Sequence, residues 1–378
     1  MDSLDGLRGF AVLIVVLSHT SNSGMFFVPI LDLGGIGKSG VFLFFLLSSF
    51  LLTLILLQKG KEILSYSVMS HYWQRRFFRI YPLYTLYLLL AVMSTWFFAT
   101  ALGRSGVGIP FDLNWHGFLS HLFLLEGKDV TWSIAVEFKF YFLLPFLVLT
   151  IVFIRSYGYG ATVLYFFLLM SLSQIISPQS ESLTNDPRLS PYLPIFIVGV
   201  FLAVLQDGIN RNGLNKIARE TLRYSGFLGV FGVIIMTPLV FSLLGKRVPY
   251  NYFHKQFILY AICWSLILLS AVNVRGVIQR FFALPLLMYY GALSFSLYLF
   301  HPIFIMFVKD AGVNGYFGAW FVLLASTAAA YISFKVLEGP PLHEGLSGYQ
   351  VRTLYDNDSL SSEVHEPKCR THGRPRMI

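Results

Sequence analysis

The sequence predicts an all-α protein, a polytopic membrane helix bundle with about ten transmembrane helices. Of its 378 residues, 56% are hydrophobic and only 12% are charged, whereas soluble domains carry about 25% charged residues. Apolar runs recur along the whole chain, and many reach the roughly 18 residues that a membrane-spanning helix needs. The net charge of +9 therefore does not indicate nucleic-acid binding, which we exclude. In a membrane protein, the positions of the lysines and arginines indicate instead which loops are cytoplasmic.

Apolar runs between polar breaks predict where the ten spans lie. The sixth is the shortest of them. The predicted spans are 7–25, 38–57, 80–100, 132–154, 160–177, 192–206, 224–244, 255–273, 283–308 and 314–335.

Basic residues in the loops predict the orientation. If the amino terminus is cytoplasmic, so are the loops between spans two and three, six and seven, and eight and nine. These loops and the carboxyl-terminal tail carry most of the lysines and arginines, as the positive-inside rule requires. We therefore expect both termini in the cytoplasm.

The composition changes abruptly near the carboxyl terminus. Residues 1–341 form the predicted transmembrane domain, whereas 342–378 are too polar to build a core and are expected to be a disordered cytoplasmic tail. Cys263 lies in an apolar run and Cys369 in the tail, so we expect no disulfide.

The first span, LDGLRGFAVLIVVLSH at residues 4–19, contains Arg8 and His19. Eleven positions make about three helical turns, so the two side chains share a face about 16 Å apart along the axis. The polar run 20–23 extends that face, and we expect the helix to border a water-filled cavity because such groups are costly against lipid. Two alternatives stay open: a structural histidine at His19, and an Arg8 that anchors the helix end with Asp5.

The stretch QRRFFRIYP, residues 74–82, places an arginine cluster before the third span. Arg76 and Arg79 are three positions apart, and guanidinium groups bind phosphate oxygens in pairs. We expect Tyr81-Pro82 to mark the helix start. The alternative role of such a cluster is topology determination and contact with anionic lipids.

Two further spans contain candidate site residues. Glu137, in TWSIAVEFKFYFLLP, needs a partner inside a membrane; it is a candidate to orient a histidine or bind a sugar hydroxyl, or else it forms an ion pair with Lys139 or an arginine. His301, in LSFSLYLFHP, is a candidate substrate-binding residue or a satisfied structural histidine. Pro302 is expected to break the helix and free backbone groups.

The pattern GIGKSG, residues 35–40, matches a dinucleotide fingerprint by spacing alone. It follows no βαβ strand and leads into an apolar span, so we interpret it as a glycine-rich start of a helix.

Taken together, the chain resembles the acyltransferase-3 family of integral membrane acyltransferases. The resemblance rests on LDGLRGFAVLIVVLSH, SGVFLFFLLSSFLLT, RRFFRIYPLY, TWSIAVEFKFYFLLP, GALSFSLYLFHPIF and LEGPP, in the family's order from residue 4 to about 341. It implies transfer of an acyl group, often acetyl from acetyl-CoA, to an extracytoplasmic carbohydrate.

The resemblance also implies roles for individual residues. His19 matches the family's catalytic histidine, Arg8 the arginine of its first motif, and Arg76 and Arg79 its arginine pair. Glu137 matches its tryptophan-serine-glutamate motif. One departure is Ser49, which stands where the family usually has glycine; if it lined the substrate path, it would narrow a channel.

The resulting hypothesis is a bacterial inner-membrane O-acyltransferase. His19 and Glu137 would be catalytic, Arg8, Arg76 and Arg79 would bind acyl-CoA, and Glu137 and His301 would contact a glycan or lipid-linked carbohydrate, with membrane lipids around the bundle. No metal is expected. Neutral imidazole is the natural base near neutral pH. The alternatives are a glycan succinyltransferase, a small-molecule or lipid acyltransferase of the same fold, and a proton-coupled transporter.

Overall fold

A computed structural model describes residues 2–29, 31–178, 185–246 and 257–338. It confirms the all-α prediction: the described residues form fourteen α-helices and no β-strand. The predicted tail, 342–378, lies outside the described residues. The helices are α1 Asp2–Asn22, α2 Gly37–Leu57, α3 Tyr66–Ala101, α4 Trp115–Leu122, α5 Thr131–Ile154, α6 Tyr159–Ile176, α7 Leu193–Asn212, α8 Lys216–Ile235, α9 Pro238–Leu243, α10 Phe257–Asn273, α11 Val277–Phe282, α12 Pro285–Ala292, α13 Ser294–Asp310 and α14 Gly315–Ser333.

Eight of the ten predicted spans each overlap one helix, whereas 224–244 covers α8 and α9 and 283–308 covers α12 and α13. The helices differ in how well they fit a bilayer. Within the described ranges, seven are long and apolar enough to cross one, namely α1, α2, α3, α5, α6, α7 and α14. The pair α12 and α13 would make an eighth, although it is bent by 78°. The apolar α10 has 17 residues, and α8 begins with a basic stretch that lowers its hydropathy.

The outer surface of the bundle is strongly apolar, as a lipid-facing surface must be. On α6, Ile175 is 79% exposed, and on α14, Phe317 is 86% exposed. Exposed apolar side chains of this size are disfavoured in water but are the normal lining of a membrane protein. The chain is therefore an integral membrane protein.

Helix α1 lies at the centre of the bundle and contacts α2, α10, α11, α12 and α13. Glycines allow its closest approach. A Cβ atom placed on Gly6 would lie 1.6 Å from the Phe282 carbonyl oxygen, and one on Gly9 would lie 1.9 Å from the Leu287 carbonyl oxygen. A Cβ atom placed on Gly291 would likewise lie 2.0 Å from the Asp5 carbonyl oxygen. The glycines of the LDGLRG sequence thus bring the backbones of α1, α11 and α12 together.

Two local predictions about prolines are wrong. Pro82 does not mark the start of α3, because the helix begins at Tyr66 and contains this proline. Likewise, Pro302 lies inside α13. The break in that region falls before Ser294, where α12 and α13 meet at 78°. A proline can continue a membrane helix when neighbouring groups satisfy the carbonyl that it leaves unpaired.

The polar end of α1 also differs from the prediction of a cavity wall. Thr20 donates to the Val16 carbonyl at 3.0 Å, within its own helix. Ser21 Oγ accepts from the Leu33 amide at 3.2 Å, and Asn22 Oδ1 accepts from the Gly35 amide at 3.0 Å. These residues hold the connection between α1 and α2 in place.

Ser49 does not narrow a channel. It is fully buried, and its hydroxyl donates to the Phe45 and Leu46 carbonyls at 2.9 and 3.0 Å. It faces α7 at Gly199, where an added Cβ would lie 1.9 Å from Ser49 Oγ and 2.6 Å from the Leu46 carbonyl oxygen. Ser48, one position earlier, faces the polar interior instead.

This packing predicts that Gly199→Ala destabilises the protein. The new methyl group overlaps Ser49 Oγ and the backbone of α2, and overpacking of this kind costs about 1–3 kcal/mol. We expect a lower midpoint of thermal unfolding in detergent, measured by tryptophan fluorescence.

The matched control is Gly208→Ala on the same helix, where an added Cβ meets nothing within 4 Å. This substitution should leave the midpoint unchanged or raise it slightly, since alanine is the better helix former. Adding Ser49→Gly to Gly199→Ala should recover only part of the loss, because the Leu46 carbonyl remains in contact. Equal midpoints for the two alanine variants would contradict the packing.

Candidate functional site

Arg8 lies on the second turn of α1 and is half-buried among other cations. Its Nη1 atom is 3.8 Å from Asp5 Oδ1, and 18% of its side chain is exposed. It also interacts electrostatically with Arg76 and Arg79 of α3. The alternative role predicted for Arg8 from the sequence is to anchor the end of the helix together with Asp5. The structure shows both the Asp5 contact and a position beside the arginine pair.

Arg76 and Arg79 are half-buried on one side of α3, whereas the adjacent Arg75 is exposed. Arg76 interacts with Arg79 and with three groups of opposite or polar character: Tyr72, Tyr141 and Glu137. Only the arginines at the i and i+3 positions therefore reach the interior. We call Arg8, Arg76 and Arg79 the arginine cluster.

Glu137 is the carboxylate of this region. Its Oε1 atom accepts a hydrogen bond from Ser48 of α2 and another from the Tyr141 hydroxyl, at 2.5 Å. Lys139 is not its partner, because the Lys139 ammonium donates to the Pro187 carbonyl at 2.7 Å. The structure thus places Glu137 beside the arginine cluster, and its hydrogen bonds go to Ser48 and Tyr141 rather than to a histidine.

The three guanidinium groups of the arginine cluster repel one another, so the fold must hold them together. The surrounding hydroxyl groups contribute to this. Tyr72 donates to the Tyr141 carbonyl at 3.0 Å, which ties α3 to α5 beside Arg76. Two carboxylates, Asp5 and Glu137, accompany three guanidinium groups, so the cluster keeps a positive balance. Such an arrangement favours the binding of an anion, and phosphate is the anion that arginine forks fit best.

His19 and His301 form a second polar centre. Their rings are joined by a hydrogen bond of 2.9 Å between His19 Nδ1 and His301 Nε2. His301 is fully buried, while His19 is half-buried. Sequence spacing could not indicate this pairing, because the residues are 282 positions apart.

The backbone decides which nitrogens of the pair carry protons. His301 Nδ1 lies 3.2 Å from the Leu297 carbonyl oxygen, and a carbonyl can only accept. His301 Nδ1 is therefore protonated, and in the neutral ring its Nε2 is an acceptor. His19 Nδ1 must then donate to it, which leaves the lone pair of neutral His19 on Nε2. The arrangement presents one basic nitrogen and fixes the ring that carries it.

His301 differs from the substrate-binding residue that the sequence predicted. Both of its ring nitrogens already have partners, and its side chain has no exposed surface. It lies behind His19 as an orienting group.

A pair of hydroxyl groups lies near both centres. Ser133 Oγ on α5 lies 2.7 Å from the Tyr298 hydroxyl, and Tyr298 is one turn before His301. Ser133 is also one turn before Glu137, which bonds to Ser48 and Tyr141. The Ser133–Tyr298 pair is therefore one helical turn from the histidine pair on α13 and one helical turn from Glu137 on α5.

Three polar residues around Glu137 and Arg76 were not predicted from the sequence, namely Tyr141, Ser48 and Tyr72. Tyr141 follows Glu137 by four positions, the spacing at which helical side chains meet, so it was identifiable in principle. Ser48 and Tyr72 come from other helices, and no spacing rule connects them to Glu137.

The geometry predicts the proton positions in the histidine pair. In protein carrying nitrogen-15 histidine in lipid, His19 should be protonated on Nδ1 and unprotonated on Nε2 at neutral pH, because His301 Nε2 only accepts. Nitrogen chemical shifts report this, and the His19 signals are identified by their loss in His19→Asn. His301→Ala should remove the fixed tautomer, whereas a proton on Nε2 of His19 in the unaltered protein would refute the arrangement.

Comparison with known proteins identifies the family of the chain. The family model described as an acyltransferase domain, that of the acyltransferase-3 family, matches residues 1–336. A protein named "Putative O-acetyltransferase" from Staphylococcus aureus strain MRSA252 is 28% identical over 94% of this chain and 59% of its own length. O-acetyltransferase OatA of strain NCTC 8325 is 25% identical over 92% of this chain and 58% of its own length.

The chain thus spans about three fifths of the length of the curated relatives it matches. No solved structure matches it. Because the family model covers nearly all of the described helices, the chain belongs to the acyltransferase-3 family of membrane proteins.

Proposed function

We propose that this protein is a membrane O-acyltransferase that moves an acetyl group from acetyl-CoA to a hydroxyl of a carbohydrate. The observation that carries the proposal is the placement of two chemically distinct centres on one helix. The arginine cluster includes Arg8, and the histidine pair includes His19, eleven positions later on α1. That separation is about 16 Å along the helix axis, and the Ser133–Tyr298 hydroxyl pair lies one helical turn from His301 and from Glu137.

The arginine cluster suits the donor end of such a reaction. Coenzyme A carries a pyrophosphate and a 3′-phosphate, and Arg8, Arg76 and Arg79 provide guanidinium groups that fit phosphate oxygens. The linear pantetheine arm would then extend along α1 toward His19. Loop charges favour a cytoplasmic position for this end of the bundle, on the side of a bacterial inner membrane where acyl-CoA is made.

The histidine pair suits the acceptor end. His19 Nε2 would take the proton from the attacking hydroxyl, while His301 holds the ring through Nδ1. A thioester is already activated, so placement of the hydroxyl and removal of its proton are the main tasks. The relatives named O-acetyltransferase support a hydroxyl acceptor. We propose that this hydroxyl belongs to an extracytoplasmic carbohydrate, glycan or lipid-linked.

Glu137 has a more indirect role in this proposal than the sequence suggested. Its contacts to Ser48 and Tyr141, and its attraction to Arg76, lie on the donor side of the site. We assign it the positioning of Arg76 and the Tyr141 hydroxyl. A direct part for Glu137 in catalysis or sugar binding stays a prediction.

The proposal predicts that His19→Ala lowers acetyl transfer by about 10²–10⁴-fold, the usual contribution of a general base. Membranes containing the protein are incubated with radiolabelled acetyl-CoA and a polysaccharide acceptor, and label in the polysaccharide is counted. His71→Ala is the control, because His71 is exposed and its ring bonds to the Ser67 carbonyl of its own helix. If His19→Ala transferred label as fast as the unaltered protein, the base assignment would fail.

The donor site yields a second kinetic prediction. Arg76→Ala with Arg79→Ala should raise the KM for acetyl-CoA at least tenfold, because two charge-assisted contacts to phosphate are lost. The KM for the acceptor should change little.

Arg75→Ala is the matched control, since Arg75 has the same charge on the same helix but is exposed. It tests whether loss of positive charge at the membrane surface explains the effect. An unchanged donor KM in the double variant would remove the arginine pair from the donor site.

A further inference from the structure

The first turn of α2 lies directly against His19. Helix α2 begins at Gly37, and its N-cap residue Ile36 makes no side-chain hydrogen bond to that turn. A Cβ atom placed on Gly37 would be 3.6 Å from His19 Cδ2 and 3.2 Å from Ser18 Oγ. In imidazole, Cδ2 is bonded to Nε2, the nitrogen that carries the lone pair here. The start of α2 therefore adjoins the reactive edge of the ring.

Ser18 adds an unexplained polar group at the same place. Its side chain is fully buried, and within the described part of the chain its Oγ atom has no hydrogen-bond partner. The neighbouring hydroxyls of Thr20 and Ser21 both have partners. Leaving a buried hydroxyl unpaired costs about 1–3 kcal/mol. Beside the proposed base, this unpaired hydroxyl is available to donate to a group that binds during the reaction.

The start of α2 is also held rigidly. Ser21 and Asn22 at the end of α1 accept hydrogen bonds from the Leu33 and Gly35 amides. The Ser39 amide donates back to the Ile36 carbonyl at 2.9 Å. Ser18 and His19 of α1 thus both lie beside the start of α2. The following turn of α1, with Ser21 and Asn22, holds α2 in position relative to them.

We propose that the amino terminus of α2 at Gly37, together with the Ser18 hydroxyl, binds the carbonyl oxygen of the acyl group and stabilises the oxyanion formed during transfer. The inference rests on the proposed acyl transfer. The positive end of a 21-residue helix attracts negative charge. Donors placed in advance where charge develops are among the largest contributions to catalysis.

The step balances with these residues. The acceptor oxygen attacks the thioester carbonyl carbon, its proton passes to His19 Nε2, and the carbonyl electron pair moves onto oxygen. The oxyanion accepts hydrogen bonds from Ser18 and the amide at the start of α2. Re-formation of the carbonyl breaks the carbon–sulfur bond, and the departing thiolate takes the proton from the His19 imidazolium. An ester and a free thiol result.

Ser18→Ala tests the proposal by kinetics. We expect kcat for acetyl transfer to fall about 10²-fold, with the KM for acetyl-CoA unchanged within a factor of about two, because the contact strengthens only as charge develops. Ser326→Ala on α14 is the matched control: Ser326 is equally buried and its Oγ is also unpartnered among the described residues. It should retain full activity.

An infrared measurement separates this role from a structural one. With carbon-13 acetyl-CoA bound and no acceptor present, the carbonyl stretch should lie at lower frequency in the unaltered protein than in Ser18→Ala, because a hydrogen bond polarises the bond. Gly37→Ala, whose new methyl group would contact Ser18 at 3.2 Å, should shift it in the same direction as Ser18→Ala.

The outcomes distinguish this inference from the proposed function. If the unaltered protein transfers no label, the acyltransferase proposal fails and the inference fails with it. If the unaltered protein is active but Ser18→Ala keeps its kcat and its carbonyl frequency, only the oxyanion assignment fails. An acetyl group found on Ser18 by mass spectrometry of the quenched protein would also overturn it, since Ser18 would then be a nucleophile.

Discussion

Close contact between the backbones of α1 and α12 is the constraint on which the rest of the site depends. Gly9 and Gly291 permit this contact, and Gly6 permits the adjoining contact with α11, because a Cβ at any of them would overlap a carbonyl oxygen. With that face of α1 occupied by backbone, Arg8 is directed toward α3. The same contact brings α13, which follows α12, close enough for His301 to reach His19. Small residues at helix interfaces serve the same purpose in other membrane bundles.

The second constraint is that charged and polar groups inside a membrane must find partners. Here the partners come from several helices: Ser48 from α2, Tyr72 from α3, Tyr141 from α5 and Leu297 from α13. Each hydrogen bond fixes one side chain and also joins two turns or two helices. The groups that satisfy the membrane requirement are therefore the same groups that position the candidate chemistry. Ser18, like Ser326, is an exception among the described residues, and Ser18 lies next to the proposed base.

The sequence predicted much of this architecture because apolar runs depend on local composition. It also placed Arg8 and His19 on one helix at the observed spacing. The pairing of His19 with His301 was not predictable, since it depends on how α1 and α13 pack. Glu137 shows the same limit, because nothing in its own segment indicates that Ser48 would reach it. The helix boundaries at Pro82 and Pro302 were wrong because membrane helices tolerate prolines that would end a helix in water.

The contact of Ser49 with Gly199 has a consequence for evolution within the family. The two positions share a fixed volume between α2 and α7, so the side chain at one limits the side chain at the other. A relative with glycine at the position of Ser49 has room for a larger residue at the position of Gly199, and the two should vary together. The unusual serine of this chain then reflects how the space between α2 and α7 is filled. It carries no information about the size of the transferred acyl group.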